Sequence, residues 1–204
     1  MAQFSDIFAT RPVLADGAMG TVLYSRGVFI NRCFDELNLS DPAMILAVHE
    51  EYLQAGAEIL ETNTFGANRF RLSRHGLSAK VAEINAAGVK LAKQAVAHLK
   101  EKQAGEAWVA GSVGPLGVRL EPLGKTGLDE ARAAFAEQIR ALSDAGADLL
   151  IIETMPALNE AREALLAAEE TAPDLPVLVM VTVDDDSNCL DGSSPQQAAA
   201  LLTE

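Results

Sequence analysis

The 204-residue chain is long enough for one domain with a substantial core, and its 49% apolar and 22% charged residues are ordinary for a soluble globular fold. A net charge of −13 excludes nucleic acid and anionic membrane surfaces as partners, because a polyanion repels the acidic protein. No run reaches the ~18 apolar residues of a membrane span, residues 1–12 lack the apolar stretch of a secretory signal, and Cys33 and Cys189 form neither a disulfide framework nor a metal motif, so the setting expected is cytoplasmic.

The first strand is expected over residues 11–15, running into Asp16-Gly17-Ala18-Met19-Gly20-Thr21, whose two glycines mark a tight turn. Ser40-Asp41-Pro42 opens a helix in which Ile45, His49, Tyr52 and Leu53 share one face, and Gly56 stands where a left-handed C-cap belongs. Strand two covers 58–62. A long helix from Ser78 carries Val81, Ile84, Gly88, Leu91, Ala95 and Leu99 at helical spacing. Strand three covers 107–112 and ends in the loop Val113-Gly114-Pro115-Leu116-Gly117. Thr126 and Asp129 read as a capping pair for the next helix, with Phe135, Ile139 and Leu142 as its apolar seam. Strand four covers 148–153, a helix follows from about Leu158 to Glu170, and strand five covers 176–183. That last strand is nearly all apolar, as expected of a parallel strand buried on both faces. After the polar loop Asp184-Asp185-Asp186-Ser187-Asn188, Ser193-Ser194-Pro195 opens one more helix.

Two of these steps nearly repeat. Ala55-Gly56-Ala57-Glu58-Ile59-Leu60-Glu61-Thr62 returns as Ala145-Gly146-Ala147-Asp148-Leu149-Leu150-Ile151-Ile152-Glu153-Thr154, each a helix stop, an apolar strand and a terminal Glu-Thr. Alternating strands and helices define an α/β fold, either an open doubly wound sheet or a (β/α)8 barrel. A barrel typically takes ~250 residues, so five steps here project to three more beyond Glu204. Residues 1–204 are thus expected to be the N-terminal portion of a barrel domain.

Asp16 and Glu153 stand at carboxyl ends of strands, where barrels do their chemistry. Alone, either acid reads equally well as a helix cap or an ion-pair partner; together, from different strands, they favour a site. Alternation leaves open whether Glu61 faces the barrel interior or the helix layer. The Asp16–Gly20 turn can present backbone amides to an anion, but it is no dinucleotide fingerprint. His49, on an apolar helix face, reads as a core residue, and His98 as an exposed cation near a helix end. Cys33, Cys189, His49 and His75 lack the spacing of a zinc site, and the run Asp184-Asp185-Asp186 reads as a solvated loop.

Four strings occur in order: Leu14-Ala15-Asp16-Gly17-Ala18-Met19-Gly20-Thr21, Glu61-Thr62-Asn63-Thr64-Phe65-Gly66-Ala67-Asn68, Gly111-Ser112-Val113-Gly114-Pro115-Leu116-Gly117 and Glu153-Thr154-Met155. Together they closely resemble the homocysteine S-methyltransferase family, from about Val13 to the end of the chain. The resemblance implies a (β/α)8 TIM barrel, with about the first five βα units in this chain, that methylates homocysteine to methionine. In the family, zinc held by three cysteines binds the homocysteine thiol and keeps it as the nucleophilic thiolate. By the match, Asp16 and Glu153 hold the substrate ammonium group, Gly17 and Ala18 offer amides to its carboxylate, and Thr62, Asn63 and Ser112 line the pocket.

The family's zinc cysteines lie in later segments, and neither Cys33 nor Cys189 has their context. No metal ligand and no catalytic residue is therefore assigned here, and the chain by itself is expected to be inactive. The resemblance leaves methylfolate, methylcobalamin, betaine and S-methylmethionine open as donors, with a modest likeness to the folate-linked branch, and a donor-binding domain as a partner. The competing reading is a non-catalytic amino-acid-binding or interaction protein built on the same barrel.

Overall fold

A computed structural model describes residues 8–102 and 106–202. Four strands, β1 (Ile59–Glu61), β2 (Trp108–Val113), β3 (Leu149–Met155) and β4 (Val177–Val181), form one parallel sheet in the order β1-β2-β3-β4. Residues 11–15, expected as a full strand, join β1 only through a bridge at Ala15 and Ile59. Leu14 and Asp16 still exchange hydrogen bonds with residues 58 and 59, but Pro12 has no amide to extend the ladder. The strand order settles the architecture. A doubly wound sheet reverses direction at a switch point, whereas each strand here lies beside its predecessor in the sequence, as in a barrel wall.

The helices are α1 (Met19–Ser25), α2 (Leu37–Ser40), α3 (Pro42–Gln54), α4 (Arg69–Ser73), α5 (Val81–Lys102), α6 (Leu128–Asp144), α7 (Leu158–Thr171) and α8 (Pro195–Leu202), with a 3-10 turn at Ser78–Lys80. The expected tight turn at residues 16–21 runs into α1 by Met19. Helices α1, α2 and α4 have no counterpart in the sequence reading, because each is too short to display periodicity. Asp41 rather than Ser40 caps α3, its side chain accepting from the Met44 amide. Helix α6 begins on Gly127 with no side-chain cap, so Thr126 and Asp129 do not form the expected pair. Asp129 and Glu130 instead place negative charge in the first turn. Ser194 and Gln197 do form a reciprocal capping box at α8. No helix among the described residues is long and apolar enough to cross a membrane.

The near-repeat is a repeat of backbone geometry. Gly56 (φ 102°) and Gly146 (φ 92°) each follow a helical C-cap and adopt the left-handed conformation. In both, the next amide reaches back across the last turn, Ala57 N to Tyr52 O at 3.0 Å and Ala147 N to Leu142 O at 3.2 Å. This is the Schellman stop, which satisfies the carbonyls a helix end leaves bare. The acid that follows does the same work twice: Glu58 accepts from the Leu14 amide and Asp148 from the Val109 amide, tying each new strand to the one before.

Strand parity divides the interior. Leu60, Val109, Leu150 and Ile152 face outward into the main core against Phe135, Ile139, Leu142 and the alanines of α7. Ile59, Trp108, Ala110, Leu149 and Ile151 form a separate inner cluster. Strand β4 departs from expectation: its residues are half-buried, and Met180 is 44% exposed. It lies at the end of the sheet order, with β3 as its strand neighbour.

Candidate functional site

Parity also fixes where the strand-end acids point. Two residues beyond the inner-cluster members Ile59, Ala110 and Ile151 come Glu61, Ser112 and Glu153, so all three continue the inner face beyond the carboxyl ends of their apolar segments. With Asp16 they line a cleft of about 610 Å³, which Gly17, Ala18, Thr62 and Asn63 also line. Strand alternation alone leaves the side of Glu61 open; its two-residue offset from Ile59, matching that of Ser112 from Ala110 and of Glu153 from Ile151, is the signal that places it on the inner face.

The backbone around Glu153 is specialised. Ile152 pairs with Val179 but Met155 with Val181, so Glu153 and Thr154 together oppose one residue of β4. Such a bulge re-aims a side chain. Thr154 sits at φ 57°, which for a β-branched residue is a strained left-handed conformation costing roughly 1–3 kcal/mol. The Glu153 carboxylate is held from both sides, by the Ser112 hydroxyl at 2.6 Å and the Thr154 hydroxyl at 3.2 Å.

Asp16 uses one oxygen to accept from the Glu61 amide at 3.1 Å, while the other, Oδ1, is buried with no partner among the described residues. Burial pushes the Asp16 carboxyl up to about 7, and the charge of Glu153 adds to the rise. Glu61 is pushed up to about 8, first by burial and then by Glu153 and Asp16. Three carboxyl groups thus converge, and for Asp16 and Glu61 burial and neighbouring acids oppose ionisation, an arrangement completed chemically by a cation.

The remaining site residues hold rather than reach. Thr64 Oγ1 donates to the Ser112 carbonyl at 2.8 Å, so Thr62 Oγ1 must donate to Thr64 at 2.6 Å while accepting from the Ser112 amide at 3.1 Å. With its proton committed, Thr62 locks the end of β1 to that of β2. Asn63 donates to the Phe34 carbonyl and to Asn38, tying the same loop to α2 and the segment before it. A Cβ at Gly17 would lie 3.0 Å from the Tyr52 hydroxyl, which donates to the Ala18 carbonyl, so a side chain there would crowd the Tyr52 ring.

Titration of the cluster gives a stability prediction. Raised carboxyl values mean that the folded chain holds protons the unfolded chain has released, so stability falls as pH rises toward about 7 and 8. His49, buried and lowered to about 4, acts in the opposite sense, but only below the ordinary histidine value near 6.5. From pH 6.5 to 8.5 the acids therefore dominate, and a loss on the order of 2 kcal/mol is expected. Denaturant titrations across this range should show the decline, and Glu61→Gln should flatten it.

Zinc does not fit the described residues. No group of three His, Cys, Asp or Glu side chains among them is arranged to hold a metal ion. Cys33 lines the cleft but is buried, 3.7 Å from Asp35, and its thiol is pushed up to about 11, which disfavours the thiolate a metal needs. Cys189 is buried in the loop before α8, its thiol raised by burial and by Asp191 and Asp184. His49 is enclosed with both ring nitrogens unpartnered among the described residues, and His98 pairs with Glu50 of α3 at 2.5 Å instead of standing free.

A parallel α/β wall of barrel type, with an acidic cleft at the carboxyl ends of β1, β2 and β3 and at the turn that starts with Asp16, is the class these features define. The comparison with known proteins narrows the class to one family. The profile described as Homocysteine S-methyltransferase matches residues 13–204, and the chain belongs to that family. Methionine synthase of Mycobacterium leprae (strain TN) is 31% identical over 207 residues, covering 97% of this chain. Methionine synthase of Mycobacterium tuberculosis (strain ATCC 25618 / H37Rv) is 30% identical over 208 residues. This chain spans 17% of the length of each. Among solved structures, the metallated form of the homocysteine methyltransferase MmuM from Escherichia coli superposes with a TM-score of 0.84 at 31% identity, over 97% of this chain and 73% of that one. The apo form gives 0.76 at 30% identity.

Proposed function

We propose that residues 13–204 serve as the homocysteine-recognition part of a homocysteine S-methyltransferase, an enzyme that forms methionine by methyl transfer to the homocysteine thiol. Asp16 and Glu153 hold the ammonium group, and the Gly17–Ala18 turn meets the carboxylate. One observation carries this reading: a buried oxygen of Asp16, with no partner among the described residues, in a cleft shared with two further carboxyl groups. A desolvated carboxylate of that kind is stabilised by a cation with hydrogen-bond donors, and an ammonium group supplies both. Glu61 joins the pair as a third acid. Ser112, Thr62 and Asn63 fix the positions of the acids. No step through zinc is assigned to these residues. Methylfolate and methylcobalamin are the donors considered for the complete enzyme.

Calorimetric titration with homocysteine and with 4-mercaptobutyrate, which lacks only the amino group, tests the assignment. Homocysteine should bind at least tenfold more tightly, as losing a charge-assisted hydrogen bond costs about 1.5–3 kcal/mol. Its affinity should also rise from pH 6.5 to 8.5, because Asp16 and Glu61 must lose protons to receive a cation. Equal affinity for the two thiols would remove the ammonium site.

A further inference from the structure

The same cleft has a second, oppositely charged region. Arg71, Arg74 and His75 line it together with the acids. In a chain of net charge −13, neither arginine forms an ion pair with a carboxylate among the described residues. Both are held by neutral groups instead. Arg71 Nε donates to the Pro115 carbonyl at 2.7 Å, its guanidinium lies 5.2 Å from the centre of the Phe65 ring, and Arg74 donates to the Gly117 carbonyl. A carbonyl or a ring face orients a guanidinium without cancelling its charge. Asp35 and Glu160 bear on Arg71 electrostatically without forming an ion pair with it: they accept from the Gly66 and Leu116 amides, and burial raises both carboxyls, which disfavours the charged forms that would offset the guanidinium. Arg32, also on the cleft, is offset by Glu36 at 3.5 Å.

We propose that Arg71, Arg74 and His75 form a second subsite, which receives a carboxylate of the methyl donor while the acids hold the amino acid. This subsite rests on the acidic region being the homocysteine site, and the cleft volume of about 610 Å³ lies within the range that accommodates drug-sized ligands. The donor selected by this subsite is anionic at the end away from its methyl group. Arg74 and His75 are exposed and accessible to such a tail, whereas Arg71 is half-buried and pre-oriented.

Glutarate, a dicarboxylate with no cationic group for the acids to bind, is the probe, with neutral glutaramide as its control. Titration of the labelled protein by NMR should show glutarate binding at least tenfold more tightly than glutaramide, with shifts centred on residues 71–75 and affinity falling as salt is added. Arg74→Ala should weaken glutarate at least tenfold and Arg74→Lys less, with homocysteine affinity unchanged in both. Undiminished glutarate binding to Arg74→Ala, shifts centred on residues 17–18, or no preference over glutaramide would overturn the subsite. Tighter binding of inorganic phosphate than of glutarate would overturn the carboxylate assignment. Should homocysteine fail to bind, the recognition role falls, while the glutarate result still decides whether the basic region is an anion site.

Discussion

Replacing Glu153 with glutamine is expected to weaken homocysteine binding at least tenfold while the fold is kept. The substitution preserves shape and the hydrogen bond from Ser112, which an amide oxygen also accepts, and removes only the charge. Loss of one charge-assisted contact costs about 1.5–3 kcal/mol, or roughly tenfold to a hundredfold in affinity. Part of the loss is offset by a local effect. Glu153 contributes to the raised values of both Asp16 and Glu61, so without it those two ionise more readily and recover some attraction for the ammonium group. Asp16→Asn combined with Glu153→Gln should therefore cost more than the sum of the single changes. Calorimetry at pH 7.5 measures both, and wild-type affinity in the single variant would remove Glu153 from the site.

Gly114→Ala is expected to cost about 3 kcal/mol of stability, at the upper end of what overpacking usually does. A Cβ at this position would lie 2.5 Å from the Phe65 ring and 2.6 Å from the Phe65 carbonyl, to which the Gly114 amide donates. The carbonyl is backbone, and Arg71 lies over the ring, so neither yields without moving the loop after β1. For a chain of this size the change corresponds to a fall in Tm of roughly 6–12 °C. Urea denaturation tests it. A loss below about 1 kcal/mol would show that the loops after β1 and β2 are not locked together at this point.

Much of the sheet was legible because its signals are local. The Schellman stops announced themselves as Ala-Gly-Ala, and the strands after them as apolar runs. The acids at strand ends were legible for the same reason, and for Glu61 the parity with Ile59 was present but unused. What escaped the sequence depends on contacts between distant segments. Thr62 lines the cleft as its position suggests, but nothing local shows that its hydroxyl is already taken up by Thr64 and the amide of Ser112. His98 looks like a free surface cation until α3 brings Glu50 against it. Strand β4 has the composition of a central strand, but composition cannot state how many neighbours a strand has. The bulge at Glu153 and Thr154 has no local signature, since Glu-Thr ends β1 as well without one.

Trp108 is the sole tryptophan of the chain and belongs to the inner cluster with Ile59, Ala110, Leu149 and Ile151. Four residues along the same strand, on the same face, stands Ser112, which holds Glu153. Indole fluorescence from these 204 residues therefore originates at a single point on the inward face of the sheet, beneath the acids. Emission wavelength becomes a direct optical measure of how dry that interior is, and quenching by acrylamide or iodide a measure of its accessibility, with no label and no second chromophore of the same kind to disentangle.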